Sequence, residues 1–226
     1  MGKVGAVVVA AGTSRRMGGA NKIFAPLLGK PLLAHTVDVF QRCPVIDQVV
    51  IVLNEDKLDE GWRLAKEYLW SKVTEICPGG ARRQDSVREG LKRISGCDWV
   101  VIHDGARPCL SPDLVEGGLE EARHSGAAIP AIPVTDTIKV VSPDSFVAET
   151  PLRQSLWAVQ TPQVFRFEII NEAYRKAQGD VTDDATLVEN LGYRIKVYSG
   201  SYDNIKVTTP EDLSLAEAIL KSREKG

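Results

Sequence analysis

Strand-like and helix-like segments alternate along most of the chain, which predicts an α/β fold with a mainly parallel sheet covered on both faces by helices. Three observations carry this. The first apolar run, Val4 to Ala10, is a continuous series of small and β-branched residues, the pattern of a strand buried on both faces. Each later apolar run is separated from the next by one amphipathic stretch of helix length. The rhythm then breaks between Ala127 and Trp157, predicting a β-hairpin arm at about 134–156 inserted into a single domain spanning residues 1–226.

In chain order, Pro31 to Arg42 predicts a helix with Pro at its first position and Leu32, Leu33, Thr36, Val37 and Phe40 near helical spacing. Val49 to Leu53 predicts the next strand, Leu58 to Leu69 a helix, Val73 to Cys77 a shorter strand, and Asp85 to Ile94 another helix. Trp99 to Ile102 predicts a strand, and Ser111-Pro112-Asp113 a capped start for a helix reaching about His124. Ala127 to Val134 is apolar but carries Pro130 and Pro133, so an edge or bent strand is expected. Thr137 to Val141 and Phe146 to Ala148 flank the turn cluster Ser142 to Ser145 and predict the hairpin. After Trp157 to Thr161, helices are expected over Phe167 to Ala177, Asp183 to Asn190 and Pro210 to Arg223, with short strands at Ile195 to Tyr198 and Asn204 to Val207.

The 226 residues carry 28 basic and 30 acidic side chains, a formal net charge of −2. That balance gives no global field drawing the chain to nucleic acid or to a membrane, so any anion site must be built locally. Val4 to Ala11 is far shorter than a membrane span, and Val7 stands where a myristoylation signal wants Ser or Thr. The expectation is a cytoplasmic protein. Cys43, Cys77, Cys97 and Cys109 lack the close spacing of a zinc knuckle or a CxxC motif, and read as thiols in a reducing compartment. His35 and His124 fall in predicted helices and the four tryptophans lack stacking-platform spacing, so packing is expected of them.

In a parallel sheet ligands bind beyond the carboxyl ends of the strands, and three such segments are unusual. Ala10-Ala11-Gly12-Thr13-Ser14-Arg15-Arg16-Met17-Gly18-Gly19, running on to Asn21-Lys22, combines small residues with fixed positive charge. It is neither a Walker A loop nor a dinucleotide fingerprint, and a solvated surface loop is the bland alternative. Pro78 to Ser86 places Gly79, Gly80, Arg82, Arg83 and Ser86 at a helix start, where an ordinary turn with an Asp N-cap would look the same. His103-Asp104-Gly105-Ala106-Arg107-Pro108 puts a carboxylate at a strand end beside an arginine, suited either to a substrate hydroxyl or metal phosphate, or to an Asp104–Arg107 salt bridge. Thr182-Asp183-Asp184 reads as a helix cap with acidic residues in its first turn, and Asp203 to Lys206 as a turn into a strand.

These segments, with Asp136-Thr137-x-Lys139, Gln160-Thr161-Pro162-Gln163 and Asp203-Asn204-Ile205-Lys206-Val207-Thr208, occur in one order along the chain. The ordered set resembles the 2-C-methyl-D-erythritol 4-phosphate cytidylyltransferase family of the non-mevalonate isoprenoid pathway, from Val4 to about Leu220. The resemblance implies a modified Rossmann-like three-layer sandwich and a homodimer joined through the β-arm. It implies attack by a polyol phosphate oxygen on the α-phosphorus of CTP, with Mg²⁺ or another divalent cation and with cationic side chains stabilising the growing charge. By resemblance, Arg16 and Lys22 neutralise the triphosphate, while Arg153 and Lys206 position the attacking phosphate. Asp104, Arg107, Thr137, Thr161 and Thr182 surround the polyol phosphate, and Ala10, Ala11, Gly12, Gly80, Arg83, Ser86 and Ala106 surround the cytidine. Asp104 and Asp203 are the candidate carboxylates for the metal, with the triphosphate itself supplying most ligands.

The chain departs from the common family pattern at Asn21, Ala81 and Gly105, none of which removes a charged group the chemistry needs. The nearest rival reading is a sister enzyme acting on ribitol 5-phosphate. A nucleotide-sugar glycosyltransferase is disfavoured because no Asp-x-Asp metal motif occurs. A non-catalytic nucleotide-binding module leaves Arg16, Lys22, Arg153 and Lys206 without a common purpose.

Overall fold

Four parallel strands form the heart of the computed structural model, which describes residues 2–12 and 22–223. They are β1 (Val4–Val9), β4 (Gln48–Leu53), β5 (Val73–Pro78) and β6 (Trp99–Asp104), ordered β5-β4-β1-β6. Two short strands, β2 (Pro26–Leu27) and β3 (Lys30–Pro31), make a separate turn before the first long helix. The alternation seen in the sequence is two-sided burial. Val4, Ala6 and Val8 enter the core under helices α1 (Leu32–Arg42), α2 (Leu58–Glu67) and α4 (Pro112–Ser125). Val7, Val50 and Val52 enter the opposite core, under α3 (Arg83–Leu91), α5 (Phe167–Lys176) and α6 (Asp184–Glu189). The result is the expected three-layer sandwich. A fully buried side chain such as Phe40, Leu119 or Ile170 contributes about 1.5–3 kcal/mol.

Beyond β6 the sheet becomes mixed, with two strands antiparallel to the rest. β11 (Gln163–Arg166) runs against β6 and against β7 (Ala127–Pro133), a strand the sequence did not disclose because only Val164 and Phe165 carry its apolar signal. β7 itself is not an edge strand. It pairs with β12 (Lys196–Ser199) on one side, and on the other with β11 and with β10 (Trp157–Val159). Its prolines are accommodated because Pro130 faces the irregular 160–162 stretch, where its carbonyl accepts from Gln160 N, and Pro133 lies past the last β12 pair. The residues of Asn204 to Val207 form no strand. Val207 N donates to the Ala106 carbonyl at 2.8 Å, so the segment lies against a loop rather than a ladder. α7 (Pro210–Arg223) closes the chain over a small core of Leu27, Leu32, Cys109, Val207 and Ala216.

Residues 134–156 leave the sandwich as the expected hairpin, with β8 (Val140–Val141) pairing β9 (Val147–Glu149) across the Ser142–Ser145 turn. Both strands are shorter than the apolar runs suggested, and Phe146, Val147 and Leu152 are exposed. The four cysteines are free thiols, Trp70 and Trp99 are core residues, and Trp62 and Trp157 are exposed. Among the described residues no helix is long and apolar enough to cross a membrane.

Candidate active site

The carboxyl ends of β1, β4, β5 and β6 are tied into one rim. Ala10 N donates to Val52 O, Gly79 N to Leu53 O and Gly105 N to Val9 O, each at 2.8 Å. Beyond this rim lies a cavity of about 460 Å³ whose walls include Ala10, Ala11, Gly12, Gly80, Ala81, Ser86 and Ala106. Its charged walls are Lys22, Arg82, Arg83, Lys206 and one carboxylate, Asp104, among the described residues. Gly80 is required there by space, since a Cβ on it would lie 2.4 Å from Asp85 Cβ. Ser86 Oγ accepts from Gly80 N at 3.1 Å and donates to Arg82 O at 3.2 Å, so this hydroxyl braces the loop. The helix following the loop starts at Arg83, not at Asp85 or Ser86. Asp85 is its third residue and accepts from Arg82 N instead of serving as N-cap.

A second cavity, of about 430 Å³, adjoins the first on the α6 side. Arg107, Gln160, Thr161, Thr182, Asp183 and Thr186 are among its lining residues. Arg83, Asp104 and Lys206 line both cavities. The two spaces therefore share a wall made of one carboxylate and two cations.

Asp104, at the end of β6, is nearly buried and accepts from Arg83 Nε at 2.9 Å, while Lys206 Nζ lies 2.7 Å from its other oxygen. Burial opposes the charge, but Arg83 and Lys206 outweigh it and hold the carboxyl well below the usual carboxylate range. Arg107 makes no salt bridge with Asp104. Its Nη1 donates to Asn204 O at 2.6 Å, and burial draws its basicity down. Arg107 Nε and Asn204 Oδ1 are buried without a hydrogen-bond partner. Arg107 lines the second cavity, and an orphaned atom on a wall residue is what a polar ligand satisfies.

His103 is buried on the same strand, edge-on to Phe40 with ring centroids 5.5 Å apart. Asp104 N donates to Thr161 Oγ1 at 3.1 Å, so that hydroxyl spends its proton on His103 Nδ1 at 3.0 Å. The Nε2 proton then points to Arg107 O at 3.3 Å. Burial brings the His103 pKa down to about 3, and the ring is neutral. The histidine, fully buried, fixes Thr161 and the 104–107 turn. Asn204, fully buried, donates to Thr161 O at 2.8 Å, so the 204–208 segment is pinned to the same turn. Lys22 Nζ donates to Val207 O at 2.9 Å, bringing the end of the first loop onto that segment.

A site whose two compartments meet at Asp104, Arg83 and Lys206 fits a two-substrate transfer between anions, and similarity to known proteins says which. The family model for IspD, 2-C-methyl-D-erythritol 4-phosphate cytidylyltransferase, matches residues 4–222. The chain belongs to this family. A protein of that name from Dehalococcoides mccartyi is 55% identical over 219 residues, covering 97% of this chain and 96% of the relative. One from Halalkalibacterium halodurans is 48% identical, covering 97% of each. Among solved structures, a 4-diphosphocytidyl-2C-methyl-D-erythritol synthase from Anaerococcus prevotii superposes with a TM-score of 0.87 at 31% identity, covering 97% of this chain and 96% of that one. The Thermus thermophilus cytidylyltransferase gives 0.78 at 32%, covering 95% and 98%.

As an IspD-family nucleotidyltransferase the chain brings together thirteen of the sixteen residues marked in the sequence. Ten are Ala10, Ala11, Gly12, Lys22, Gly80, Arg83, Ser86, Asp104, Ala106 and Lys206, at the first cavity, with Arg83, Asp104 and Lys206 also at the second. Arg107, Thr161 and Thr182 line the second. Thr137 and Arg153 lie on the exposed arm and line neither cavity, and Arg153 Nη1 donates to Thr135 O at 3.0 Å. Arg16 falls outside the described residues, as do Arg15, Met17 and Asn21. Asp203 is exposed, pairs with Arg223 at 3.4 Å and lines neither cavity. Sequence reasoning gave Asn204, Gln163 and Asp184 no role at the site. Gln163 Nε2 donates to Asp183 Oδ2 at 2.9 Å and its Oε1 accepts from Ala185 N at 3.2 Å, fixing the start of α6 against β11. Gln163 and Asn204 stood in the Gln-Thr-Pro-Gln and Asp-Asn-Ile-Lys motifs only as positions within a resemblance, and Asp184 stood beside Asp183 as one acidic residue of a helix cap.

Proposed function

We propose that the first cavity holds CTP and the second holds 2-C-methyl-D-erythritol 4-phosphate, with the reacting atoms meeting at the wall both share. The observation that carries this is the Arg83–Asp104–Lys206 cluster, common to both spaces. A phosphate oxygen of the polyol phosphate attacks the α-phosphorus of CTP. One P–O bond forms, the α–β bridging bond breaks, and pyrophosphate leaves with the electron pair. The attacking oxygen is already anionic at neutral pH, so no side chain has to take a proton. Neutral His103 is consistent with this, as it serves structure rather than proton transfer.

The residues' work is positional and electrostatic. Lys22 and Arg16 offset the triphosphate charge, and Lys206, oriented by Asp104, holds the attacking phosphate. Ala10, Ala11, Gly12 and Ala106 let backbone approach the nucleotide closely. The donor set fits a divalent cation carried in by triphosphate oxygens, because Asp104 is the one carboxylate lining the nucleotide cavity and no cluster of three ligating side chains occurs among the described residues. When bound, Mg²⁺ would supply charge neutralisation on the phosphates, with Asp104 the side chain to touch it.

The arm completes the proposal. A two-stranded hairpin is marginal alone, and this one exposes Phe146 at 71%, Leu152 at 68% and Val147 at 60%. Covering that surface with a second copy makes a homodimer and carries Thr137 and Arg153 to the partner's polyol pocket. With no membrane-spanning helix among the described residues and free thiols, the proposed setting is the cytoplasm. The test is pyrophosphate release with Mg²⁺, each nucleoside triphosphate, and either methylerythritol 4-phosphate or ribitol 5-phosphate. Release from CTP with methylerythritol phosphate is expected. Silence there, or preference for ribitol phosphate, overturns the assignment.

A further inference from the structure

Asp184 is a charged side chain with no direct place in the chemistry, yet it is fully buried. Burying a carboxylate is costly unless every lone pair facing the protein finds a donor. Here two donors do that. Tyr174 Oη donates to Asp184 Oδ1 at 2.5 Å, and Arg83 Nη2 donates to Oδ2 at 2.8 Å. Arg83 Nε simultaneously meets Asp104 at 2.9 Å. The guanidinium is thus clamped between two carboxylates, one from β6 and one from α6, while Nη1 carries no protein hydrogen bond among the described residues. Tyr174 is itself buried in the core beneath α5, so its hydroxyl has one purpose in the fold, the Asp184 oxygen.

We propose that Tyr174 and Asp184 are positioning residues that set Arg83, and through it Asp104, for nucleotide binding. A guanidinium held only by Asp104 could rotate about that contact. The second carboxylate, itself fixed by the tyrosine hydroxyl, removes that freedom and presents Nη1 to the shared wall. Lysine cannot do the same work, because one ammonium lacks the planar fork that reaches two carboxylates at once. The inference rests on the reading that Arg83 lines the CTP site.

The experiment is a double-mutant cycle on the full-length protein, using Tyr174→Phe, Arg83→Lys and the pair, with kcat/KM for CTP and the CTP Kd by calorimetry. Tyr174→Phe should raise the Kd and lower kcat/KM about tenfold in the natural background, with thermal stability measured alongside. In the Arg83→Lys background the same change should alter both by less than about twofold, since the clamp is already lost. Equal effects in the two backgrounds, or a loss confined to Tm, would make Tyr174 merely structural and overturn the proposal, leaving the CTP reading intact. An Arg83→Lys protein with unchanged CTP binding would overturn both. Should Tyr174→Phe fail to fold, Asp184→Asn enters the cycle in its place, with the same expected coupling to Arg83.

Discussion

Replacing Asp104 by Asn tests whether the shared wall is held together by charge. The side chain is 9% exposed and bridges two cations. Arg83, at 26% side-chain exposure, retains Asp184 after the change but loses one charge-assisted bond worth up to about 3 kcal/mol. Lys206 is 41% exposed, so solvent screens its pairing and its share is below about 1 kcal/mol. The expected loss at neutral pH is about 3 kcal/mol, or roughly 6–12 °C in Tm for a chain of this size. Because the folded carboxyl is held below its unfolded value, its contribution is complete above about pH 4 and disappears as pH falls further. Denaturant unfolding at pH 7, 5 and 3.5, at fixed protein concentration, should show a gap between natural and variant protein that is constant over the first two and narrower at the third. A gap under about 1 kcal/mol at pH 7, or one that does not narrow in acid, would refute the argument.

Four further outcomes are expected. Lys22→Ala should lower turnover by orders of magnitude while still folding, although it gives up the bond to Val207 O; a fully active or unfolded variant counts against its role. Arg153→Ala should be inactive as a homodimer, yet mixing it with an inactive Lys22→Ala protein should restore part of the activity if the arm serves the partner's site, read by subunit-mixing assays. Gly90→Ala should destabilise by about 1–3 kcal/mol despite the better helix propensity of alanine, because the new Cβ would lie 2.4 Å from Val7 Cγ1, and calorimetry reads this directly. His103→Gln should flatten the acid side of the stability curve. The folded pKa of about 3 lies below the unfolded value, so the natural protein loses stability as pH falls through about 6.5 toward 3, by at most about 1.4 kcal/mol per pH unit.

The central strands were legible because burial on both faces leaves a one-dimensional mark: Val4 to Val9 and Gln48 to Leu53 have almost no polar residue to offer solvent. β11 left no such mark, being four residues long with Gln163 and Arg166 at its ends. Ile205 and Val207 suggested a strand, yet strand identity depends on a neighbour, and theirs is the Ala106 turn. Asp183 and Asp184 looked alike in sequence. The first caps α6 by accepting from Thr186 N, and the second is buried beneath it against Tyr174 and Arg83. A one-residue step around a helix start separates a solvated cap from a buried clamp.

By itself the sequence determined the α/β class, the strand ends that bear the site, the hairpin arm and, through ordered motifs, the family. These are local or periodic properties, written in neighbouring residues. Only the tertiary structure decided that Asp104 pairs with Arg83 and Lys206 rather than with Arg107, and that the two cavities meet at this cluster. Those pairings depend on where the β5–α3 turn, the end of β6 and the 204–208 segment converge in space. A charge's partner is chosen by distance and burial, which sequence spacing does not record.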